Sequence, residues 1–332
     1  MKKTAGAALL AVAALAVRRY ASFREPLSAA LPELRSRGLP FVTVTYNARS
    51  LPLLRAVYRT KSAPGPGVEV TEHHVGPNAL RVLVTTPQDG RVLRPAVLMP
   101  HAGGMIVGSP QLELRTCGRL ARELGAVVVA PAYRLAPEHP FPAALDDCMT
   151  TLRWMRDSAG ELGIDADRIA VAGFSAGGGL SAAIAQRSLD EGIPLRAQGL
   201  VYPMLDDRTV LNDDFGGRGR LSWTPASNRY AWTAYLGREP RVSDAPPYAA
   251  PARRDDLSGL PPAWIGVGEL DLFLPESVEY AERLRACGVP CELVTVPGMY
   301  HAADGYAPES APMKDFQRGL TDHLRTHLLH AD

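Results

Sequence analysis

Cysteine is scarce in this chain, with four residues among 332. So few thiols cannot build the dense disulfide framework of a small secreted domain. No two cysteines stand in a C-x-x-C pair, which argues against a structural zinc site. We therefore expect Cys117, Cys148, Cys287 and Cys291 to be buried, free thiols.

An excess of charge is also absent. Lysine and arginine together number 36 and the acidic residues 35, so the net charge is +1. The basic residues are nearly all arginine and are interleaved with Asp and Glu, which excludes the basic patch of a nucleic-acid-binding protein. Internal repeats and low-complexity segments are missing from the sequence. This length and an ordinary composition indicate one large domain with a smaller covering element.

The one notable apolar run lies at the N-terminus, from Ala5 to Val17. Lys2 and Lys3 precede it, as in a signal peptide, and the run is too short for a comfortable membrane span. However, Arg18-Arg19 close the run where a cleavage region would be polar and uncharged. An uncleaved, weakly membrane-associating helix over residues 5–17, or a helix packed on the protein, fits these flanks better. Export by an N-terminal signal stays open beside a cytoplasmic or membrane-associated location.

Beyond a breaker cluster at Pro64-Gly65-Pro66-Gly67, strand and helix patterns alternate, which predicts an α/β fold with a mostly parallel, helix-covered sheet of eight strands. The first two strands should form an antiparallel edge. The predicted strands are Val68–Val75, Leu80–Thr86, Ala96–Pro100, Ala126–Ala130, Ile169–Gly173, Gly199–Tyr202, Ala263–Val267 and Glu292–Val296. The predicted helices are Ala29–Arg37, Leu51–Arg59, Glu113–Leu124, Ala143–Asp157, Ala176–Leu189, Ser227–Leu236, Glu276–Ala286 and one near Pro312–Leu329.

The alternation breaks between Leu205 and Asp256, an interval too long for an ordinary connection. It follows the C-terminal end of a strand, where open α/β sheets bind ligands. It also contains aromatic residues, among them Trp223 and Tyr230, which disordered loops lack. We expect a substrate-covering insertion here. The resulting domain organisation is 1–20 as the hydrophobic segment, 21–66 as an N-terminal section, 67–204 and 257–332 as the catalytic domain, and 205–256 as the insertion.

The strongest local motif is Gly173-Phe174-Ser175-Ala176-Gly177, between a predicted strand and an Ala-rich helix. A sharp strand-to-helix turn leaves no space for side chains two residues before and after its apex, which explains a glycine at both positions. The serine hydroxyl then lies exposed above a helix N-terminus, whose dipole favours a developing negative charge. This is the pattern of a nucleophile elbow, and it makes Ser175 the candidate nucleophile.

A serine nucleophile needs oxyanion donors, a base and an acid that orients the base. The oxyanion donors are expected in His101-Ala102-Gly103-Gly104, where two consecutive glycines follow a strand. The candidate donors are the N–H groups of Gly103, Gly104 and Ala176. Without the serine elbow, this stretch would be interpreted as a glycine-rich turn that has no catalytic role.

Among eight histidines, His301 lies in the loop directly after the last strand, where this chemistry places its base. His323 and His327 stand four residues apart on a helix, but without a third ligand we expect no metal site. The acid should precede the base in the chain, which favours Asp271. The rival acids are Glu269, Asp206, Asp207 and Asp304. On physical grounds alone Glu269 stays the most serious competitor, and Asp304 is better explained as a local partner near His301.

These motifs, in this order, resemble the hormone-sensitive-lipase family (family IV) of bacterial esterases, from about Val68 to the C-terminal helix. The matching stretches are PHAGGMIVGS at 100–109, YRLAPEHPFPAALDD at 133–147, AVAGFSAGGGL at 170–180, LVYPMLDDR at 200–208, VGELDLFLPESVEYAERL at 267–284 and PGMYHAADGY at 297–306. Two positions depart from the family pattern. Ala102 replaces the first glycine of His-Gly-Gly-Gly, and the acid motif reads Asp271-Leu-Phe-Leu-Pro-Glu276.

The resemblance implies an α/β-hydrolase fold with a helical cap formed by the 21–66 section and the insertion. It implies Ser175, Asp271 and His301 as the catalytic triad and a carboxylesterase acting on short- to medium-chain acyl esters through an acyl-enzyme. A lactone or amide hydrolase with the same triad is the alternative, and a non-catalytic ligand-binding member is disfavoured because His301 is present. The expected partner is a small-molecule ester without nucleic acid, metal or cofactor, while a homodimer stays open.

Overall fold

The structure is a computed structural model that describes residues 14, 17–36, 38–58 and 62–329. Eight strands form one sheet in the order β1-β2-β4-β3-β5-β6-β7-β8. They are β1 Val68–Val75, β2 Leu80–Pro87, β3 Arg94–Leu98, β4 Val127–Pro131, β5 Ile164–Phe174, β6 Gln198–Val201, β7 Ala263–Gly268 and β8 Cys291–Val296. All eight predicted strands are therefore confirmed, with ends that differ by a few residues.

The sheet is parallel from β4 through β3 and β5 to β8, and β2 pairs antiparallel with both β1 and β4. The predicted antiparallel edge is confirmed. Strand β4 is buried at every position, as expected for a parallel strand that helices cover on both faces. The parallel strands consequently present their carboxyl ends along one edge of the sheet, where loops from several strands can meet.

Helices cover both faces of this sheet. The α-helices are α1 Arg24–Ala29, α2 Leu39–Val42, α3 Leu51–Val57, α4 Leu114–Leu124, α5 Ala143–Asp157, α6 Ala159–Leu162, α7 Ala176–Asp190, α8 Pro225–Leu236, α9 Leu274–Ala286, α10 Ala303–Tyr306 and α11 Ala311–Leu329. Helices α4 and α11 share one apolar cluster with the sheet, and α5, α7 and α9 share the other. The predicted helices in the catalytic domain are confirmed, although a 3-10 turn at Pro110–Glu113 precedes α4.

The prediction of a helix over Ala29–Arg37 is wrong. The chain forms α1 before it and a short 3-10 turn, Pro32–Leu34, within it. Proline has no N–H to donate and disfavours helical geometry in the preceding residue, so a helix cannot run through Pro32. Leu31 is accordingly extended, with φ −53° and ψ 139°. The anchoring residue of the turn is Leu34, which is fully buried.

The N-terminal section and the insertion contact each other directly. The N–H of Tyr46 donates to Ser227 Oγ at 3.2 Å, and the N–H of Ser222 donates to Thr43 Oγ1 at 3.0 Å. Helix α8, which was predicted from Ser227, begins two residues earlier at Pro225.

The apolar run over residues 5–17 lies almost entirely outside the described residues. Within the described part of the chain, no helix combines the length and apolar character needed to cross a membrane. The cysteines are free there, as expected, but only Cys117 and Cys148 are buried. Cys287 and Cys291 are half-buried beside the turn between α9 and β8, so the prediction of burial is wrong for these two.

Candidate active site

Ser175 lies at the apex between β5 and α7 with φ +55° and ψ −118°, a strained backbone conformation for a residue with a side chain. Its glycine neighbours are sterically required. A Cβ on Gly173 would lie 2.3 Å from the carbonyl oxygen of Gly177, which confirms the expected crowding within the turn. A Cβ on Gly177 would lie 2.2 Å from the carbonyl oxygen of Pro100, so this glycine allows close approach of the loop after β3.

A continuous chain of hydrogen bonds connects three side chains that are distant in sequence. The Oγ of Ser175 lies 2.9 Å from Nε2 of His301, and Nδ1 of His301 lies 2.8 Å from Oδ2 of Asp271. Ser175 follows β5, Asp271 follows β7 and His301 follows β8. The carboxyl ends of these three parallel strands lie along one edge of the sheet. All three side chains are buried. Exclusion of water at such a site strengthens the attraction between a protonated imidazole and a carboxylate.

The structure distinguishes the two candidate acids. Asp271 is 0% exposed and uses its second oxygen, Oδ1, to accept the N–H of Phe273 at 2.9 Å. Glu269 is exposed and accepts the N–H of Gly298 at 2.9 Å through Oε2, in the turn that leads to His301. Asp304, the third candidate, accepts the hydroxyl of Tyr202 at 2.7 Å. Of these three carboxylates, Asp271 is the one that hydrogen-bonds to His301.

Aromatic rings surround the His301 imidazole. Tyr202 and Phe273 meet it edge-on, with ring centroids 4.7 Å and 5.2 Å away, and Trp223 lies at 6.3 Å. The loop that carries His301 is also fixed, because the hydroxyl of the buried Tyr300 donates to the carbonyl of Leu34 at 2.9 Å. The imidazole is thus held in one orientation by packing as well as by its hydrogen bonds.

The glycine-rich loop after β3, which begins against the start of α7 at Gly177, carries free N–H groups. Gly103 has φ +124° and Gly104 has φ +61°, which a residue with a side chain adopts only under strain. In the described part of the chain, no protein group accepts a hydrogen bond from the N–H of Gly103, Gly104 or Ala176. Ala102 is outside the left-handed region, so an alanine at this position brings no backbone strain.

Comparison with known proteins places this chain in a family. A family model described as the α/β hydrolase fold matches residues 97–304. Carboxylesterase NlhH of Mycobacterium tuberculosis is 38% identical over 254 residues, 73% of this chain and 77% of NlhH. Esterase LipI of the same organism is 35% identical over 236 residues, 70% of this chain and 72% of LipI.

A solved structure of a bacterial heroin esterase superimposes with a TM-score of 0.82 at 32% identity, covering 91% of this chain and 99% of that one. The chain belongs to the hormone-sensitive-lipase family of α/β-hydrolase-fold esterases. The resemblance seen in the sequence is therefore confirmed, as is the fold that it implied.

In the sequence of this esterase His101 only marks the glycine-rich loop, but in the structure it also supports that loop. Its ring stacks on Tyr133 with centroids 4.0 Å apart, and the Tyr133 hydroxyl donates to the His101 carbonyl at 2.8 Å. Burial lowers the pKa of His101 to about 4, so the ring is neutral at physiological pH. The stacking of His101 on Tyr133 and the hydrogen bond between them fix the start of the glycine-rich loop.

Glu113 was not identified from the sequence. Its Oε1 accepts the N–H of Ala102 at 3.2 Å, directly before the two glycines. Burial is the largest cause that raises the pKa of Glu113 to about 7, and the charge of Asp304 adds to it. The signal available in the sequence was weak, because a single Glu at the end of a 3-10 turn is normally a solvated surface residue.

Glu276 anchors the start of the insertion. Its Oε1 accepts the N–H groups of Leu205 at 2.7 Å and Asp206 at 3.3 Å, and its Oε2 accepts the hydroxyl of Thr209. Burial raises the pKa of this carboxyl well above its usual range. The family motif includes Glu276 but does not explain why a glutamate stands there. The contacts explain it, because this carboxylate accepts hydrogen bonds from the first residues of the insertion.

His323 and His327 pack against each other with ring centroids 4.7 Å apart. Within the described residues, no group of three or more His, Cys, Asp or Glu side chains is arranged to hold a metal ion. His73 packs on Trp154 at the far edge of the sheet and takes no part in the site.

Proposed function

We propose that this esterase hydrolyses short- to medium-chain acyl esters through an acyl-enzyme on Ser175. The observation that carries the proposal is the unbroken path of contacts at 2.9 Å and 2.8 Å from Ser175 through His301 to Asp271. In this assignment Ser175 is the nucleophile, His301 the general base and acid, and Asp271 the group that orients His301.

In the first half-reaction, Ser175 Oγ attacks the ester carbonyl carbon while His301 Nε2 accepts the hydroxyl proton. The carbonyl oxygen becomes negatively charged and binds the N–H groups of Gly103, Gly104 and Ala176. Each donor of this kind stabilises the transition state by about 3 kcal/mol. His301 then gives its proton to the leaving alcohol oxygen, and the acyl group stays on Ser175.

In the second half-reaction, His301 Nε2 removes a proton from water, and the water oxygen attacks the acyl carbon. The same three N–H groups bind the oxyanion again, and the proton returns to Ser175 Oγ as the acid leaves. Asp271 stays ionised and stabilises the protonated imidazole in both halves. His301 carries every proton transfer, so the mechanism calls for no metal or organic cofactor.

The 21–66 section and the 205–256 insertion together form the cap in this proposal. The hydrogen bonds between Tyr46 and Ser227, and between Thr43 and Ser222, support it because they connect the two parts. Glu276 fixes the point where the insertion leaves the catalytic domain. A cap held at these points covers the sheet edge that carries Ser175.

Relatives support an ester with a small acyl group. An ethyl acetate hydrolase of Pseudomonas putida is 34% identical over 229 residues, and an acetyl-hydrolase of Streptomyces hygroscopicus is 33% identical over 246 residues. A lactone or amide hydrolase would use the same residues, and it stays the second candidate because the triad does not distinguish the leaving atom. A non-catalytic binder has less support, since His301 is present and is hydrogen-bonded to Ser175.

The test is hydrolysis of p-nitrophenyl esters from acetate to laurate, with labelling by an organophosphate. We expect activity on the shorter esters and a single label on Ser175. Ser175→Ala should keep the fold, lose the label and lower kcat by several orders of magnitude. Ser188→Ala is the matched control, because this buried serine lies on α7, the helix that Ser175 precedes, and its hydroxyl faces Met149. A label on any other serine, or normal turnover by Ser175→Ala, would overturn the assignment.

A further inference from the structure

The indole of Trp223, from the insertion, covers the proposed oxyanion loop. Its Cη2 lies only 2.5 Å from the point that a Cβ on Gly104 would occupy. The same ring system lies 6.3 Å from the His301 ring, and Trp223 is 6% exposed. The indole therefore lies near both Gly104 and His301. In the proposed mechanism the ester binds between these two residues, so it must fit beside the indole.

Contacts from both parts of the cap hold the indole there. Its Nε1 donates to Oδ1 of Asn228 at 3.3 Å, and the Tyr46 ring packs on it with centroids 5.3 Å apart. Tyr46 in turn shares a 2.8 Å hydrogen bond between its hydroxyl and that of Tyr58. Ser222, directly before the tryptophan, has φ +64°, so the backbone is strained at the point that aims the indole inward.

A cavity of about 580 Å³ borders Tyr46, the ring that packs on the Trp223 indole. Its walls come from residues 45–47 of the N-terminal section and from side chains between 210 and 239 of the insertion. Tyr46 belongs to the wall, whereas Ser175, His301 and Gly104 are not among the lining residues that the structure describes. Tyr46 and Trp223 thus stand between a space large enough for a small organic group and the nucleophile.

We propose that Trp223 sets the upper limit on acyl length, so that the substrates are esters of acids of about four carbons or fewer. This rests on the proposed function, in which the acyl carbon is bonded to Ser175 Oγ with its oxygen on the Gly103 and Gly104 amides. An acyl chain that continues past that loop meets the indole. Removing the indole opens a path past Tyr46 toward the cavity, and longer chains then fit.

The experiment measures kcat/KM for p-nitrophenyl acetate and p-nitrophenyl octanoate in four proteins. They are the unsubstituted esterase, Trp223→Ala, Trp223→Phe and Trp154→Ala. Trp154 is the matched control, because it is a half-buried tryptophan that packs on His73 of β1, at the far edge of the sheet. The ratio of the octanoate value to the acetate value is the readout, since any general loss of activity cancels in it.

We expect the unsubstituted esterase to prefer acetate by roughly tenfold or more. Trp223→Ala should raise the octanoate-to-acetate ratio by roughly tenfold or more, because a single methylene that a pocket accepts or rejects is already worth about 10–200-fold. Trp223→Phe should raise it less, and Trp154→Ala should leave it within about twofold. Thermal unfolding and acetate hydrolysis of each variant establish that it is folded.

Two results would overturn the inference. One is an unsubstituted esterase that hydrolyses octanoate as well as acetate, a measurement that needs no variant. The other is a folded Trp223→Ala or Trp223→Phe protein whose ratio stays at the unsubstituted value. Failure of the proposed function looks different, because the unsubstituted protein would then hydrolyse neither ester and Ser175 would not react with an organophosphate.

Discussion

Asp271→Asn tests the assignment of the acid with a change of one atom. In the structure Oδ1 of Asp271 accepts the Phe273 N–H and Oδ2 accepts the Nδ1–H of His301. An asparagine keeps one oxygen, and the Phe273 N–H requires it, so the amide NH₂ must face Nδ1. His301 can then only accept at Nδ1, which places its proton on Nε2. That tautomer donates to Ser175 and cannot take its proton.

The expected loss is large because the wrong tautomer removes the base altogether. Substitutions of this kind lower kcat by about 10⁴, which corresponds to about 5 kcal/mol of transition-state stabilisation. The side chain is fully buried but keeps its size and both hydrogen bonds, so the fold should persist. Initial rates with p-nitrophenyl acetate give kcat, and thermal unfolding establishes that the protein is folded.

Glu269→Gln is the matched control for Asp271→Asn. Glu269 is exposed and contacts the Gly298 N–H, and a glutamine oxygen can accept the same hydrogen bond. We expect kcat to fall less than tenfold, since the contact is to backbone and a neutral acceptor replaces a charged one. The reverse order, with Glu269→Gln severe and Asp271→Asn mild, would show that the orienting acid has been chosen wrongly.

Three further variants test the supports of the site. Gly177→Ala would place a Cβ 2.2 Å from the Pro100 carbonyl, so we expect a lower Tm and a loss of esterase activity; unchanged values would refute the close packing. Glu276→Ala leaves the buried N–H groups of Leu205 and Asp206 without an acceptor, which costs about 1–3 kcal/mol each. Urea unfolding should therefore show a large loss in the free energy of unfolding, and a smaller loss for Glu276→Gln, which keeps one oxygen. Burial lowers the pKa of His101 to about 4 from its usual value near 6.5, so the unfolded chain binds the proton first as the pH drops, and stability should fall by roughly 3 kcal/mol between pH 6.5 and pH 4. His101→Asn should lack that part of the pH dependence of stability. A stability profile identical to that of the unsubstituted protein would contradict the role given to His101.

The fold could be predicted because its information is local. Short apolar strands alternate with helices that carry one apolar face, and each pattern fits within a few turns of chain. Prediction was wrong for Ala29–Arg37, where apolar residues at helical spacing favoured a helix. A single proline at 32 outweighs them, and the chain is held instead by the buried Leu34, whose carbonyl accepts the Tyr300 hydroxyl of the His301 loop. Tertiary contacts of this kind do not appear in a local pattern.

The choice between Asp271 and Glu269 shows a second limit. Residues two apart on a strand point to the same face, so strand periodicity cannot separate them. The separation arises after β7 ends, where the N–H of Asp271 donates to the carbonyl of Gly268 at 3.1 Å in a tight turn. That turn directs Asp271 inward toward His301 and leaves Glu269 at the surface. Its geometry depends on the neighbouring loop after β8, which donates the Gly298 N–H.

Chemistry and substrate size therefore depend on different parts of this chain. The reacting groups lie in short motifs at the ends of strands, where glycines and a strained serine leave a recognisable pattern. The space above them depends on Trp223, which meets Gly104 across more than a hundred residues of sequence. The position of its indole follows from Tyr46 and Asn228, and no spacing rule links either of them to the loop. In the proposal for Trp223, a single substitution in the insertion alters which acyl groups reach Ser175 and leaves the reacting groups unchanged.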